Sequence, residues 1–197
     1  MAIQNEASPL VLFDCWYAEA AQCEGIEDHT AVTLATTDER GAPDARQVLL
    51  KGHDERGFVF YTNLTSPKAG HLAHTPRAAL GFYWMPLGKQ VRIRGTVDRT
   101  TDKEADAYFA TRPRQSRLGA WASKQSQPLE SPMALETRLA KYVARHLFGP
   151  VPRPEFWGGF RVIPETIEFW LKQPYRLHDR VLYTKKDAGW DRQRLYP

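Results

Sequence analysis

Cysteine is almost missing from this chain: two in 197 residues. Cys15 and Cys23 are eight positions apart within one predicted helix. About two turns separate them, too far for a disulfide without breaking the helix. Neither belongs to a Cys-x-x-Cys pair, so both read as packing residues of a reducing compartment, and a disulfide scaffold is excluded. Long apolar runs are missing too. None approaches the roughly 20 residues needed to span a bilayer as a helix. Met1 to Pro9 carries no Lys or Arg ahead of an apolar stretch, so no signal peptide is visible and the expected address is the cytoplasm. Blocks of one charge sign are also absent. The chain has 27 Lys and Arg against 23 Asp and Glu, a net charge of +4, and the two signs are interspersed. Neither nucleic acid nor a membrane surface is expected as a partner, and a few phosphate sites would account for the excess. No repeat, low-complexity tract or linker divides the chain, so residues 1–197 are expected to form one domain.

What is present suits a folded core: 42% apolar and 12% aromatic residues. Ser8-Pro9 marks a helix start, with Phe13, Trp16, Tyr17 and Ala20 at helical spacing and an end near Gly25. Strands are predicted over Ala31 to Thr36, Arg46 to Lys51 and Phe58 to Thr62, with Asp-Glu-Arg-Gly turns at 38–41 and 54–57. Ser66-Pro67 opens a short helix to about His74. A hairpin follows, Ala78 to Trp84 and Gln90 to Val97, around Pro86-Leu87-Gly88. Thr101 and Glu104 have capping-box spacing ahead of a helix to about Thr111. Pro113 breaks it. A short helix through Leu118, a loop carrying Ser123 to Pro132 and a longer helix over Met133 to Leu147 come next. Strands over Trp157 to Ile163, Thr166 to Leu171 and Arg180 to Tyr183, with a short one at Arg192 to Leu195, close the chain. Many short strands with inserted helices predict a mainly β, α+β fold: an antiparallel barrel with helices around it.

The strongest chemical signal is Arg176-Leu177-His178-Asp179-Arg180, just after Glu168-Phe169-Trp170. Two guanidinium forks, an imidazole and an indole can together grip a planar, anionic, aromatic molecule. In an extended segment Arg176, His178 and Arg180 would point one way. Arg46 and Lys51 bracket a predicted strand and, five apart, would face opposite sides. Ser66-Pro67-Lys68 presents a helix N-terminus plus a full charge, a phosphate-binding arrangement. Tyr108, Arg112 and Ser116, four apart on either side of Pro113, offer a phenol, a guanidinium and a hydroxyl to a phosphate. Arg114 and Arg117 are expected to be solvated. His71 and His74 lack a third ligand in their helix, so no metal is expected. The Gly158-Gly159 pair lacks the spacing and following helix of a dinucleotide fingerprint.

These segments occur in a particular order: Arg46-Gln47-Val48-Leu49-Leu50-Lys51, Tyr61-Thr62-Asn63-Leu64, Ser66-Pro67-Lys68-Ala69, Tyr108-Phe109 with Arg112 to Ser116, Gly119 to Ser126, Phe156-Trp157-Gly158-Gly159-Phe160-Arg161, the Arg-Leu-His-Asp-Arg segment and Arg194-Leu195-Tyr196-Pro197. From about Pro9 to the last residue the chain resembles the pyridoxamine 5'-phosphate oxidase family, FMN enzymes of vitamin B6 metabolism. The resemblance implies a split-barrel FMN-binding fold, a homodimer with FMN at the subunit interface, and a C-terminal dimerisation and substrate segment over about 155–197. It implies oxidation of pyridoxamine and pyridoxine 5'-phosphates to pyridoxal 5'-phosphate, with O2 as acceptor.

Carried over residue by residue, the resemblance gives FMN contacts at Arg46, Gln47, Val48, Leu49, Leu50, Lys51, Tyr61, Thr62, Pro67, Lys68, Gln90, Gln125, Ser126, Trp170 and Arg180. The substrate falls to Lys51, Tyr108, Arg112 and Ser116, and to Arg176 and His178, which are also the expected catalytic residues. Many relatives have arginine where this chain has Pro67, which removes one cation from the FMN phosphate site but preserves the helix start. Many also carry an arginine-rich segment ahead of the first helix that can cover the substrate. Here Met1 to Ser8 holds no arginine, so either the lid is supplied otherwise or the site is more open. Two alternatives stay open: an FMN oxidase of another aromatic acid, such as a phenazine precursor, and a non-catalytic binding protein on the same barrel.

Overall fold

The computed structural model describes residues 2–197. Met1, at the head of the segment read for a signal peptide, lies outside the described residues. In chain order the elements are α1 (Pro9–Gln22), β1 (Ala31–Thr37), β2 (Pro43–Leu49), β3 (Gly52–Asp54), β4 (Gly57–Asn63), α2 (Pro67–His74), β5 (Arg77–Trp84), β6 (Lys89–Arg99), α3 (Asp102–Thr111), α4 (Arg114–Ala122), α5 (Ala134–Arg145), β7 (Trp157–Leu171), β8 (Asp179–Lys186) and β9 (Gly189–Leu195).

All strand pairings are antiparallel, in the order β2-β1-β5-β6-β7-β4-β3. The two end strands, β2 and β3, are consecutive in the chain. Between them the Leu50 N–H donates to Thr30 O and the Lys51 N–H to Val59 O, each at 2.8 Å. The backbone thus leaves the β1 side and joins the β4 side within two residues, which curls the sheet into a half-barrel. Along one edge β7 pairs with β6 from Phe160 to Leu171. Along the other, Trp157 to Val162 pair with β4 and Thr166 to Leu171 with β8. The barrel splits where β4 and β8 part.

Alternation sorts side chains to two faces. Leu34, Leu80, Phe82, Val91, Ile93, Val162, Ile167, Phe169 and Val181 fill the inside. Helix α1 plugs it: Phe13 meets Phe58 and Phe82 edge-on, with ring centroids 5.0 and 5.4 Å away. Truncating such a fully buried ring costs about 3–5 kcal/mol.

Several boundaries differ from expectation. The two strands predicted over Trp157 to Leu171 are one. Pro164, in the gap between them, sits at a bulge where register shifts opposite Arg94 and Gly95. A Cβ on Gly95 would lie 1.8 Å from Ile163 O, so the bulge requires glycine there. Strand β3 went unseen because it is three residues long. Helix α1 stops at Gln22, so Cys23 is its C-cap rather than a helical partner of Cys15. Helix α4 runs past Leu118 to Ala122. Arg114 is not merely solvated: it donates to Gly149 O at 3.0 Å and to His146 O, tying α4 to the end of α5. Arg176 lies in a 3-10 turn over Pro174–Arg176, not in a strand, and β8 begins only at Asp179. Arg176, His178 and Arg180 therefore do not share one strand face.

Candidate active site

A cavity of about 990 Å3 opens between the end of β2, β4, the start of α2, the α3–α4 corner and the loop after α4. Lys68, in the first turn of α2, lines it. Its Nζ donates to Gln125 Oε1 at 2.8 Å, Ser66 Oγ at 3.1 Å and Thr62 Oγ1 at 3.3 Å, all neutral oxygens. Burial pushes the Lys68 pKa down, and the nearby Arg46 adds to it. Ser66 is the N-cap by position, but its hydroxyl donates to Asn63 O at 2.7 Å instead of capping the helix. Arg46 comes from β2, where its guanidinium donates to Thr36 Oγ1 at 2.6 Å and Leu34 O at 3.2 Å and pairs with Asp44. Two cations facing one cavity, one of them held only by neutral acceptors, form a place for an anion.

A second cationic group is built around Pro113. This proline stops α3, making Arg112 the C-cap, and α4 restarts at once, so Tyr108, Arg112 and Ser116 all line the cavity. Arg112 Nη1 is buried without a hydrogen-bond partner. Its guanidinium packs over the Trp157 ring at 5.0 Å and the Phe109 ring at 5.4 Å. Burial pulls the Arg112 pKa down and pushes the Tyr108 phenol up. Tyr61 lies parallel to both Tyr108 (4.2 Å) and Trp157 (5.2 Å). Gly159 makes that possible: a Cβ there would come within 2.7 Å of the Tyr61 ring. An orphaned guanidinium donor beside a phenol suits a second phosphate.

Gln47, Val48, Leu49, Lys51, Tyr61, Thr62, Pro67, Gln125 and Ser126 also line this cavity. Arg46 and Lys51 reach it together, contrary to strict alternation, because β2 ends at Leu49. Leu50 points into the core at 2% exposure and offers the cavity no side chain. Ser126 holds a left-handed φ of 66° in its loop. Trp157, Asn63 and Asp44 line the cavity without having been given a site role, although Asn63 and Trp157 belong to segments that carry the resemblance.

Gln90, Trp170, Arg176, His178 and Arg180 do not line it. Gln90, Trp170 and Arg180 stand on the outer face of the sheet with His178 against Trp170, and Arg176 lies in the turn just before them. Tyr83, Gln90, Trp170, Arg180 and Leu195 form one in-register row across β5 to β9. A second row on that face runs from Gln47 through Thr33, Gly81 and Arg92 to Glu168. The His178 ring sits 4.4 Å from the Trp170 ring, and its Nδ1 accepts the Gln173 N–H at 3.2 Å. A neutral His178 then carries its hydrogen on Nε2, where it is a donor. Tyr175 and Arg176 precede it with left-handed φ of 55° and 63°. Such strain is costly and concentrates at functional segments.

Residues 18–145 match the family model described as pyridoxamine 5'-phosphate oxidase. Residues 157–197 match that of the pyridoxine 5'-phosphate oxidase C-terminal dimerisation region. The chain belongs to the pyridoxamine 5'-phosphate oxidase family. It is 55% identical over 192 residues to the pyridoxine/pyridoxamine 5'-phosphate oxidase of Mesorhizobium japonicum, covering 97% of this chain and 93% of that one. The enzyme of the same name from Rhizobium meliloti is 53% identical over 195 residues, covering 98% and 94%. Among solved structures, PhzG from Burkholderia lata 383, in complex with tetrahydrophenazine-1-carboxylic acid, superposes with a TM-score of 0.92 at 30% identity, covering 98% of this chain and 95% of that one.

Proposed function

We propose that this family member is an FMN-dependent oxidase of pyridoxamine and pyridoxine 5'-phosphates, acting as a homodimer. The observation that carries it is one cavity lined by two cationic groups, Lys68 with Arg46, and Arg112 with Tyr108 and Ser116. Two such groups suit a cofactor phosphate and a substrate phosphate. Lys68, Arg46 and the start of α2 would hold the FMN phosphate, with Thr62, Gln125 and Ser126 beside it. When bound, FMN supplies hydride acceptance at N5 from the substrate C4' carbon and passes the electrons to dioxygen, releasing hydrogen peroxide. The product is pyridoxal 5'-phosphate, with ammonia from the amine.

The chain's own residues bind and orient. Arg112 and Tyr108 anchor the substrate phosphate at a distance from the reacting carbon, which fixes the ring and leaves C4' to be aligned. Lys51, exposed at the mouth, adds positive charge where cofactor and substrate would meet. The outer-face set, with Arg176 and His178 for the substrate and Gln90, Trp170 and Arg180 for the flavin, lies outside this cavity. A second copy of the chain would bring its set to the first copy's cavity. Exposed Tyr83 and Leu49 on that same face fit burial in such a contact. His178, a donor at Nε2, orients the substrate rather than removing a proton.

The test is direct. Purified protein should show a flavin absorbance spectrum, and either phosphorylated vitamer should yield pyridoxal 5'-phosphate and peroxide in equal amounts. Colourless protein that gains no activity with added FMN would overturn the proposal. The likeness to PhzG favours a second reading, oxidation of a phenazine-type acid. Turnover of such an acid without turnover of the vitamers would establish it. The orphaned Arg112 donor speaks for a phosphorylated substrate.

A further inference from the structure

Glu168 is a buried carboxylate that the reaction as described does not use. It stands on the outer face of β7, two residues before Trp170, and is 4% exposed. Its Oε1 accepts two bonds from Arg180, from Nε at 2.9 Å and Nη2 at 2.7 Å. Its Oε2 accepts Arg92 Nη2 at 2.6 Å. Arg180 Nη1 donates to Tyr196 O at 3.0 Å. Three of the five guanidinium hydrogens of Arg180 are thus committed within the chain, and two are left to meet a ligand. Arg92 is about half exposed at its side chain, whereas Arg180 is more enclosed. The register places Arg92 opposite Glu168 and Arg180 opposite Trp170, so the triad is a property of the sheet itself.

We propose that Glu168 is a positioning residue for the flavin site: it clamps Arg180 in one orientation and offsets its charge, and Arg92 moderates that offset from outside. The inference rests on Arg180 facing the flavin, as proposed above. A cation near the ring of the cofactor favours its reduced, anionic form. The carboxylate beside Arg180 opposes that preference while keeping the donors aimed. Arg92, by partly neutralising the carboxylate, weakens the opposition. The three side chains would together set flavin affinity and potential without Glu168 or Arg92 touching the flavin.

The two outer partners should therefore act with opposite signs on potential. In FMN-loaded Glu168→Gln, the guanidinium is uncompensated and less well held. Relative affinity for reduced over oxidised flavin should rise about tenfold, a shift of about 30 mV to more positive potential for a two-electron couple. The FMN Kd should also rise, by about tenfold. In Arg92→Gln, checked to remain dimeric, the potential should move negative. Glu168→Asp, which keeps the charge, should restore most of the potential. A role confined to stability would lower Tm and leave the potential alone. Wild-type potential in both Glu168→Gln and Arg92→Gln, or shifts of the same sign, would overturn the proposal. Arg180→Gln separates the two layers. If it leaves FMN Kd and potential unchanged, Arg180 does not face the flavin and the proposed site fails with it. If it alters them while Glu168→Gln does not, only the positioning role fails.

Discussion

Lys68 is held by three neutral oxygens and pushed to a lowered pKa by burial and by Arg46. The sign of the consequence can be worked out. Phosphate binding needs the ammonium form, so FMN affinity should be full below that lowered pKa and fall as pH rises through it, before an ordinary lysine would titrate. Stability without phosphate runs the other way: the buried charge is a cost that fades between the lowered pKa and the unfolded one. Riboflavin, lacking the phosphate, should bind weakly and show no such alkaline loss; titrating both ligands across pH checks this. Arg46→Ala should weaken FMN by about one to two decades, since each charge-assisted phosphate contact is worth roughly 1.5–3 kcal/mol. Arg112→Ala should chiefly raise KM for the phosphorylated vitamers, because its contact is remote from the reacting carbon and present throughout. Flavin content should stay unchanged; loss of flavin would assign Arg112 to the cofactor. Charged and aromatic residue types announced these sites in the sequence. What they could not announce was the support: Trp157 beneath Arg112 depends on chain segments brought together only by folding.

At the scale of elements, local signals were the readable ones. The capping box of α3 forms as its spacing suggested: Thr101 Oγ1 accepts the Glu104 N–H at 3.2 Å, and Glu104 Oε2 accepts the Thr101 N–H at 2.9 Å. Proline at the first helical position marked α1 and α2. Conformations set by distant partners were not readable. The stretch from Trp157 to Leu171 reads as two strands with Pro164 in the gap, yet β6 carries β7 past it through a bulge. Arg176 to Arg180 reads as extended, yet its first residue turns into left-handed backbone. Gly159 shows the same dependence: its worth lies in the Tyr61 ring passing over it. Gly159→Ala should displace Tyr61 and with it Tyr108, raising KM for the phosphorylated substrate by about tenfold with a smaller effect on kcat. Steady-state kinetics with FMN in excess would show this, and an unchanged KM would remove the aromatic stack from the account of substrate binding.

The whole molecule is a half-barrel with two sets of proposed site residues, one lining the cavity and one on the outer face, which adjoin at Gln47 and Leu49. The mainly β class with surrounding helices was legible from short strands and turn residues. The strand order was not, because pairings such as β6 with β7 join residues far apart in sequence and leave no local mark. The resemblance implies what pattern could not, that the cavity set and the outer-face set serve one reaction, and the proposed function rests on that. In a two-fold dimer each copy would lend its outer face to the other's cavity. Mixing two defective variants measures this. Arg112→Ala damages the cavity and Arg176→Ala the outer face, and each alone should lose most of its kcat/KM for pyridoxamine 5'-phosphate. After dissociation and reassociation of an equal mixture, half of the dimers would be hybrids with one intact site each, so about one quarter of wild-type activity should return. A mixture no more active than its two components would contradict a site shared between copies.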